Sequence, residues 1–274
     1  MQFSIAVMAH HTRQDNLKNV VEALTQQGVP ESDINTIIDY DSEGIWATAM
    51  KAWLSHSDFP HHLVLQDDIV ISKDFISIVN SVLQTVDDNF AASFCDKLHN
   101  MKRVYSQNKH WLATTQVRHA QALLLPVSWI EDWLTWSEWN VRPEYYHDDG
   151  RLEMWLKHTN QVIHHSVPSL IEHKDSGSVF TQAQGKDKIS IPYSCWKFIE
   201  DDDRQEYTWD VKPTNVYKYR YVHNNNEQLF ALGYDMPLQI LEQGSTNSRI
   251  LNFESISTPY EEIMKHARKE RGLT

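Results

Sequence analysis

The 274-residue sequence predicts an α/β fold with a mainly parallel, mixed sheet flanked by helices. Two observations support this prediction. Short apolar runs typical of buried strands alternate with segments of helical periodicity through the first part of the chain. One apolar run, His61 to Gln66, also ends abruptly in the adjacent carboxylates Asp67 and Asp68. Open α/β sheets bind ligands outside the carboxyl ends of their strands, so we expect a site at this point.

The predicted elements follow one another from the amino end. Strands are expected over residues 3–9, 36–39, 62–66, 91–94, 116–125 and 161–165. Helices are expected over residues 13–27, 42–53 and 148–158, with two more after Ser72 and through Trp136. The predicted helix caps are Thr12 with Asp15, Ser42, Ser72, and Ser128 with Glu131. We expect one domain over residues 1–190 and a C-terminal extension over 191–274 that packs on the same domain.

Composition excludes several classes of protein. The only cysteines are Cys95 and Cys195, which are far apart, so neither a disulfide framework nor a thiolate zinc site is expected. The first residues lack the basic region of a signal peptide, and no apolar stretch reaches membrane-spanning length. We therefore expect a soluble, cytoplasmic protein with no membrane contact and no obligate protein partner.

Charge is unevenly distributed along the chain. The formal net charge is −12, which argues against indiscriminate coating of nucleic acid. Residues 97–130 nevertheless contain no acid, and in them cations alternate with Tyr105 and Trp111. A second acid-free stretch covers residues 211–226, and the carboxyl end is basic. Cations interleaved with aromatics fit a groove for a polyanion with stackable bases, but solvated strand and loop edges have the same composition.

The order of several segments resembles the GT-A class of metal-dependent, nucleotide-sugar glycosyltransferases, most closely the small enzymes of tailed bacteriophages. The segments that carry the resemblance are 9–13, 41–53, 61–68, 146–149 and 168–173. It covers roughly residues 3 to 180. It implies a Rossmann-like GT-A fold with a C-terminal extension and, as donor, a nucleoside-diphosphate sugar, which the resemblance indicates to be a UDP-sugar.

By this resemblance, Gln66-Asp67-Asp68 takes the place of the D-x-D motif, with Gln66 where an acid is usual. Asp68 would then bind Mn²⁺ or Mg²⁺, and His173 would be the second protein ligand. Gln66 could bond a ribose hydroxyl through its amide. The alternatives are that Asp67 and Asp68 cap the following turn and that His173 is a structural hydrogen-bonding residue.

Further cations and carboxylates would meet the donor. By the resemblance, Arg13 and Lys51 match family positions that contact the nucleotide and diphosphate. The side chains of both residues can bind phosphate. Asp39 or Asp41 would meet the base or ribose, and the sequence leaves open which of them does so. Lys51 in particular could instead be an exposed helical cation.

Asp148 and Asp149 begin a predicted helix, where an N-cap would explain one of them. In inverting GT-A enzymes a carboxylate near this point removes the proton of the acceptor hydroxyl. In a retaining enzyme the same acids would position the acceptor.

The resulting hypothesis is a metal-dependent hexosyl- or pentosyltransferase. Related phage enzymes add glucose or arabinose to hydroxymethylated pyrimidines in DNA, so modified double-stranded DNA is one candidate acceptor, with the base flipped out of the helix. A surface glycan or a protein is another. A metal-dependent nucleotidyltransferase or phosphoesterase, and a binding protein in which the acids are caps, remain as rival classes.

Overall fold

A computed structural model describes residues 2–98, 100–174, 195–202, 204 and 209 of the chain. Its strands are β1 (Phe3–His10), β2 (Ile34–Asp39), β3 (His61–Gln66), β4 (Ile69–Ile71), β5 (Ala92–Ser93), β6 (Trp111–Thr114), β7 (Ala122–Pro126), β8 (Ile163–Ser166) and β9 (Ile171–His173). Seven of them form one sheet in the order β2-β1-β3-β7-β5-β8-β6, and β4 pairs with β9 in a separate two-stranded ribbon.

The main sheet is mixed. β1 pairs in parallel with both β2 and β3, and β5 pairs in parallel with β8. β7 and β6 run in the opposite direction to their neighbours. The chain moves from β1 to β2 on one side and then returns to β3 on the other side of β1. This reversal of strand order creates a crevice at the carboxyl ends of β1 and β3, which is where open α/β sheets bind ligands.

Helices cover both faces of the sheet. They are α1 (Gln14–Gln26), α2 (Ile45–Leu54), α3 (Phe75–Leu83), α4 (Met101–Ser106), α5 (Val127–Asn140) and α6 (Asp148–Thr159). Alternate residues of β1 enter two different cores: Ile5 and Val7 pack with α1 and α3, whereas Ala6 and Met8 pack with α2, α5 and α6. The predicted fold class, an α/β fold with a mixed, mainly parallel sheet flanked by helices, is confirmed.

The predicted strands and helices all occur, with shifted ends. The predicted strand at 116–125 is much shorter, since β7 begins only at Ala122. The sequence did not predict β4, β6, β9 or α4. Each of these four elements has six residues or fewer, which is too short for hydrophobic periodicity to define.

The predicted helix caps are wrong. The residues at the N-caps of the four helices are Arg13, Gly44, Asp74 and Pro126, and none of them makes a side-chain capping bond. The hydroxyl of Thr12 instead bonds the His10 ring, with 2.8 Å between Oγ1 and Nδ1. A cap depends on the direction from which the chain enters the helix, and that direction is set by tertiary packing.

The described part of the C-terminal region packs on the main domain. Ser169 donates its N–H to the carbonyl of Lys197 at 2.8 Å, and Trp196 donates to that of Asp96 at 3.0 Å. The predicted boundary near residue 190 and the second acid-free stretch lie outside the described residues. Cys95 and Cys195 are both free and buried. Among the described residues, no helix has the length and apolar character that a membrane crossing requires.

Candidate functional site

Four predicted site residues converge at the carboxyl ends of β1 and β3. Arg13 follows β1, and its Nη1 lies 2.8 Å from Asp68 Oδ2 and 3.2 Å from Asp67 Oδ1, directly after β3. On the other side of Asp68, His173 Nε2 lies 3.3 Å from the same Oδ2 atom. The four side chains are at most 14% exposed. They therefore form one compact cluster in the crevice.

The β4–β9 ribbon brings His173 to this cluster from a distant part of the sequence. Ile69, the residue after Asp68, is the register partner of His173. The N–H of Lys174 donates to the carbonyl of Asp68 at 2.7 Å and continues the pairing. His173 therefore reaches Asp68 because of backbone pairing between residues that are about a hundred positions apart.

Two carboxylate oxygens of the cluster are left without a partner. Asp67 Oδ2 and Asp68 Oδ1 are buried and have no hydrogen-bond partner among the described residues. Buried oxygens of charged groups are normally bonded, so these two are available to a ligand or an ion.

Electrostatics separates the two aspartates. Burial raises the pKa of Asp67 to about 6, and the neighbouring Asp68 adds to this effect. Burial acts in the same direction on Asp68, but the hydrogen bond and charge of His173 and the charge of Arg13 outweigh it and lower its pKa. Asp68 is therefore the more readily ionised of the two carboxyls.

The donor set suits a hard divalent cation that completes its shell with substrate oxygens. Among the described residues, no group of three or more His, Cys, Asp or Glu is arranged to hold a metal ion. Asp68 and His173 offer one carboxylate and one imidazole, and Mg²⁺ and Mn²⁺ are often held by one or two carboxylates together with phosphate oxygens. The unpartnered Oδ1 of Asp68 fits this role.

The predicted donor-binding residues have their own contacts. The carboxylate of Asp39 accepts the N–H groups of Glu43 at 2.9 Å and Gly44 at 3.2 Å, so it fixes the turn that leads into α2. Lys51 forms an ion pair with Glu43, and its side chain is 57% exposed. Both arrangements shape the loop beside β2 without any ligand.

Two other residues predicted to contact the donor differ in their exposure to solvent. Asp41 is exposed, and Gln66 is half-buried at the end of β3. The assignment of both residues to donor binding stays a prediction.

Asp148 and Asp149 begin α6, as the sequence predicts, but the N-cap is His147 and not an aspartate. Asp149 Oδ1 accepts the N–H of the next residue, Gly150, at 2.7 Å. Burial raises the pKa of Asp148 to about 6. Burial and the charge of Asp148 raise the pKa of Asp149 well above its usual value. A carboxyl with a pKa of about 6, such as Asp148, fits general-base chemistry near neutral pH.

Sequence reasoning missed a buried contact between a histidine and an aspartate. His165 Nδ1 lies 3.0 Å from Asp96 Oδ2, and both side chains are fully buried. The other ring nitrogen of His165 bonds the carbonyl of Gln116 at 2.9 Å. Asp96 follows β5, and its charge contributes to the raised pKa of Asp149. An Asp after a short apolar run was the only signal for it in the sequence.

The aromatic residues of the first acid-free stretch are engaged within the protein. The hydroxyl of Tyr105 donates to Asp202 Oδ1 at 2.6 Å, and the guanidinium of Arg204 lies 4.0 Å from its ring centroid. Trp111 packs against Phe90 with 5.7 Å between ring centroids. These rings are therefore not open stacking platforms, whereas the neighbouring Lys102 and Arg103 of α4 are exposed.

Comparisons with known proteins give no sequence match and structural likenesses of low degree. No protein-family model matches the chain, and no curated protein matches its sequence. Similar solved structures include residues 1–349 of S. aureus TarS, with TM-score 0.40 and 8% identity over 64% of this chain and 61% of that one. They also include a mutant Drosophila beta-1,4-galactosyltransferase 7 in complex with manganese, UDP-Gal and xylobiose, with TM-score 0.33 and 8% identity over 66% of this chain and 79% of that one. Likenesses of this degree carry no functional argument, so the function is argued below from the site itself.

Proposed function

We propose that the protein is a metal-dependent glycosyltransferase that moves a sugar from a nucleoside-diphosphate sugar to a hydroxyl acceptor. The observation that carries the proposal is the convergence of Asp68, His173 and Arg13 at the switch point of the sheet, with the Asp68 Oδ1 atom buried and unpartnered. The sequence resemblance to GT-A enzymes, which rests on the same residues, adds to it.

Asp68 and His173 would hold Mn²⁺ or Mg²⁺, which when bound supplies Lewis-acid charge to the diphosphate leaving group. Arg13, which pairs with Asp67 and Asp68, would bring its positive charge beside the phosphate oxygens of the donor. The nucleoside would lie near the carboxyl ends of β2 and β3 and would meet Asp39 or Asp41, Gln66 and, from α2, Lys51. The charge that develops on the leaving diphosphate is thereby met by fixed groups.

On the acceptor side, Asp149 or Asp148 would take the proton of the attacking hydroxyl. Both carboxyls stand at the start of α6 and have raised pKa values, and the pKa of Asp148, about 6, matches a base that operates near neutral pH. The acceptor class that we propose is a hydroxymethylated pyrimidine in double-stranded DNA, receiving a hexose or a pentose. The exposed cations Lys102 and Arg103 on α4, which follows the carboxyl end of β5, support contact with a polyanion.

The test begins with the donor. The protein is screened by thermal shift against UDP-, GDP-, dTDP- and CMP-sugars with Mn²⁺ or Mg²⁺, and release of the nucleotide is then measured. We expect one donor to raise the unfolding temperature only when metal is present. Asp68→Asn should abolish that shift and lower nucleotide release by about 100-fold, because it removes a charged ligand at the reacting phosphates.

Asp58→Asn is the matched control, since Asp58 is exposed and lies before β3, at the opposite end of the strand. It should behave as the unmodified protein. Hydroxymethylated and unmodified DNA are then incubated with the donor, and their nucleosides are analysed by mass. Cleavage of a plain nucleoside triphosphate, without action on any sugar donor, would replace the proposal with a nucleotidyltransferase or phosphoesterase. An unchanged metal response in Asp68→Asn would refute the metal assignment.

A further inference from the structure

Arg151 is a charged residue in the interior of the protein. Its side chain is 1% exposed, and it lies on the first turn of α6, two residues after Asp149. Burying an unpaired guanidinium costs several kcal/mol, so such a residue needs bonds for its N–H groups. The way in which these bonds are made indicates what the residue does.

The guanidinium donates hydrogen bonds to backbone carbonyls in the last turn of α5 and in the connection between α5 and α6. Its Nη1 donates to the carbonyl of Ser137 at 3.1 Å, its Nη2 to that of Arg142 at 2.9 Å, and its Nε to that of Tyr145 at 2.8 Å. Two of the three acceptors lie in the connection itself, and the third lies in the last turn of α5. One rigid, planar group therefore defines the path of the chain that leads to Asp148.

Tyr145, which belongs to this connection, packs against the start of α6. A Cβ atom on Gly150 would lie 2.0 Å from the hydroxyl oxygen of Tyr145, so the tyrosine side chain rests directly on the helix backbone there. Gly150 is the residue whose N–H binds the Asp149 carboxylate. The position of Tyr145 thus limits where the two aspartates can lie.

The same guanidinium reaches the donor side of the site. It lies 4.3 Å from the ring centroid of Trp46, in the first turn of α2, and 3.9 Å from Glu138 Oε1. Trp46 Nε1 donates to the same Glu138 oxygen at 2.6 Å. The turn that precedes α2 is the one held by the Asp39 carboxylate. Arg151, Trp46 and Glu138 therefore join the two halves of the site.

We propose that Arg151 is a positioning residue that, with Trp46 and Glu138, fixes the start of α6 relative to the start of α2. It thereby holds Asp148 and Asp149 at the distance from the donor that transfer requires. The inference rests on the proposed function only for its catalytic consequence. Because a displacement of about 1 Å can cost about 100-fold in rate, a change that loosens this group should act on the chemical step.

Arg151→Lys tests the proposal, since it keeps the charge and loses the planar fork. We expect the turnover number to fall by about 100-fold, while the affinity for the nucleotide and metal stays within about threefold, because Asp68 and His173 are untouched. Glu138→Gln is a second variant that folds more safely, since the Glu138 side chain is 54% exposed. It keeps the acceptor for Trp46 and loses the charge, so turnover should fall by about two- to fivefold.

Lys157→Met is the matched control on the same helix. It removes the Lys157–Glu153 ion pair, whose N–O distance is 2.5 Å, further along α6 from the aspartates. A role in stability alone predicts that the control and Arg151→Lys change turnover by similar factors at a similar loss of thermal stability. That result would overturn the proposal.

Hydrogen exchange separates this inference from the proposed function. The Tyr145 N–H closes a turn on the Arg142 carbonyl at 3.1 Å, and that carbonyl also accepts the guanidinium. In Arg151→Lys we expect at least tenfold faster exchange at Tyr145, with the amides of β1 and β3 unchanged. If the unmodified protein uses no sugar donor but exchange at Tyr145 becomes faster in Arg151→Lys, the proposed function is refuted and the positioning role of Arg151 is supported. If transfer occurs and neither exchange nor turnover changes, the positioning fails.

Discussion

At the scale of single residues, the site contains carboxyls in two different electrostatic settings. Asp68 faces His173 and Arg13, which lower its pKa despite its burial. Burial alone raises the pKa of Asp148 to about 6, and the charge of Asp148 further raises that of Asp149. Carboxyls whose surroundings drive their pKa values apart are suited to different tasks. This division agrees with Asp68 as an ionised ligand and with the α6 pair as proton acceptors.

The pH dependence of transfer follows from this pair. A base must be ionised to accept a proton, so we expect kcat/KM to fall about tenfold per pH unit below the pKa of the base, which is about 6 if Asp148 is the base. The groups that raise the pKa of Asp149 are Asp148, Glu153 and Asp96. Asp148→Asn removes the first of these charges and should move the acidic limb of the profile to lower pH. A limb that stays at the same pH in this variant would show that Asp149 is not the base.

At the scale of elements, the start of α6 depends on close contact between a glycine and a tyrosine. Gly→Ala in a helix usually stabilises a protein by about 0.5–1 kcal/mol. Here the added Cβ would meet the Tyr145 hydroxyl oxygen at 2.0 Å and its Cζ atom at 2.8 Å. We expect Gly150→Ala to lower the free energy of unfolding by about 1–3 kcal/mol. Denaturant unfolding of the variant and of the unmodified protein measures this change in the free energy of unfolding.

A double-mutant cycle identifies the cause of this loss. Tyr145→Ala removes the obstructing ring, so Gly150→Ala made in that background should be neutral or stabilising. Equal losses in both backgrounds would mean that the contact between Gly150 and Tyr145 is not responsible.

The elements also show which features sequence patterns can predict. β1 and β3 were predictable because their side chains are buried over five or more consecutive residues. Asp68 was predictable because a strand that ends in acids is visible in the sequence itself. The role of Arg151 was not predictable, because its three hydrogen-bond acceptors are backbone carbonyls, which every residue carries. The Asp96–His165 contact joins two strands distant in sequence, so only the strand order reveals it.

At the scale of the whole molecule, the proposed catalytic carboxyls oppose folding stability near neutral pH. In the folded state the pKa of Asp148 is about 6, against a usual value of 3.8. The folded chain therefore binds more protons than the unfolded chain between about pH 4 and 6, and this group's contribution to stability falls as pH rises through that window. Buried histidines act in the opposite direction, since burial lowers the pKa of His62 and His164 to about 4. The contribution of these histidines to stability rises from about pH 4 to 6.5. The dependence of total stability on pH therefore conceals the opposite contribution of Asp148.

Comparing a variant with the unmodified protein isolates the Asp148 contribution. Asp148→Asn removes the buried charge and leaves the histidines unchanged. It should stabilise the protein at pH 8 by up to about 3 kcal/mol, because one pKa unit corresponds to about 1.4 kcal/mol, and by much less at pH 4.5, where the aspartate is already largely protonated. The exposed control Asp58→Asn should change stability equally little at both values. Urea unfolding at the two pH values gives the difference directly. A stabilisation at pH 8 accompanied by reduced transfer would show that this charge is retained for the reaction at the expense of stability. Equal effects at both pH values would refute the raised pKa.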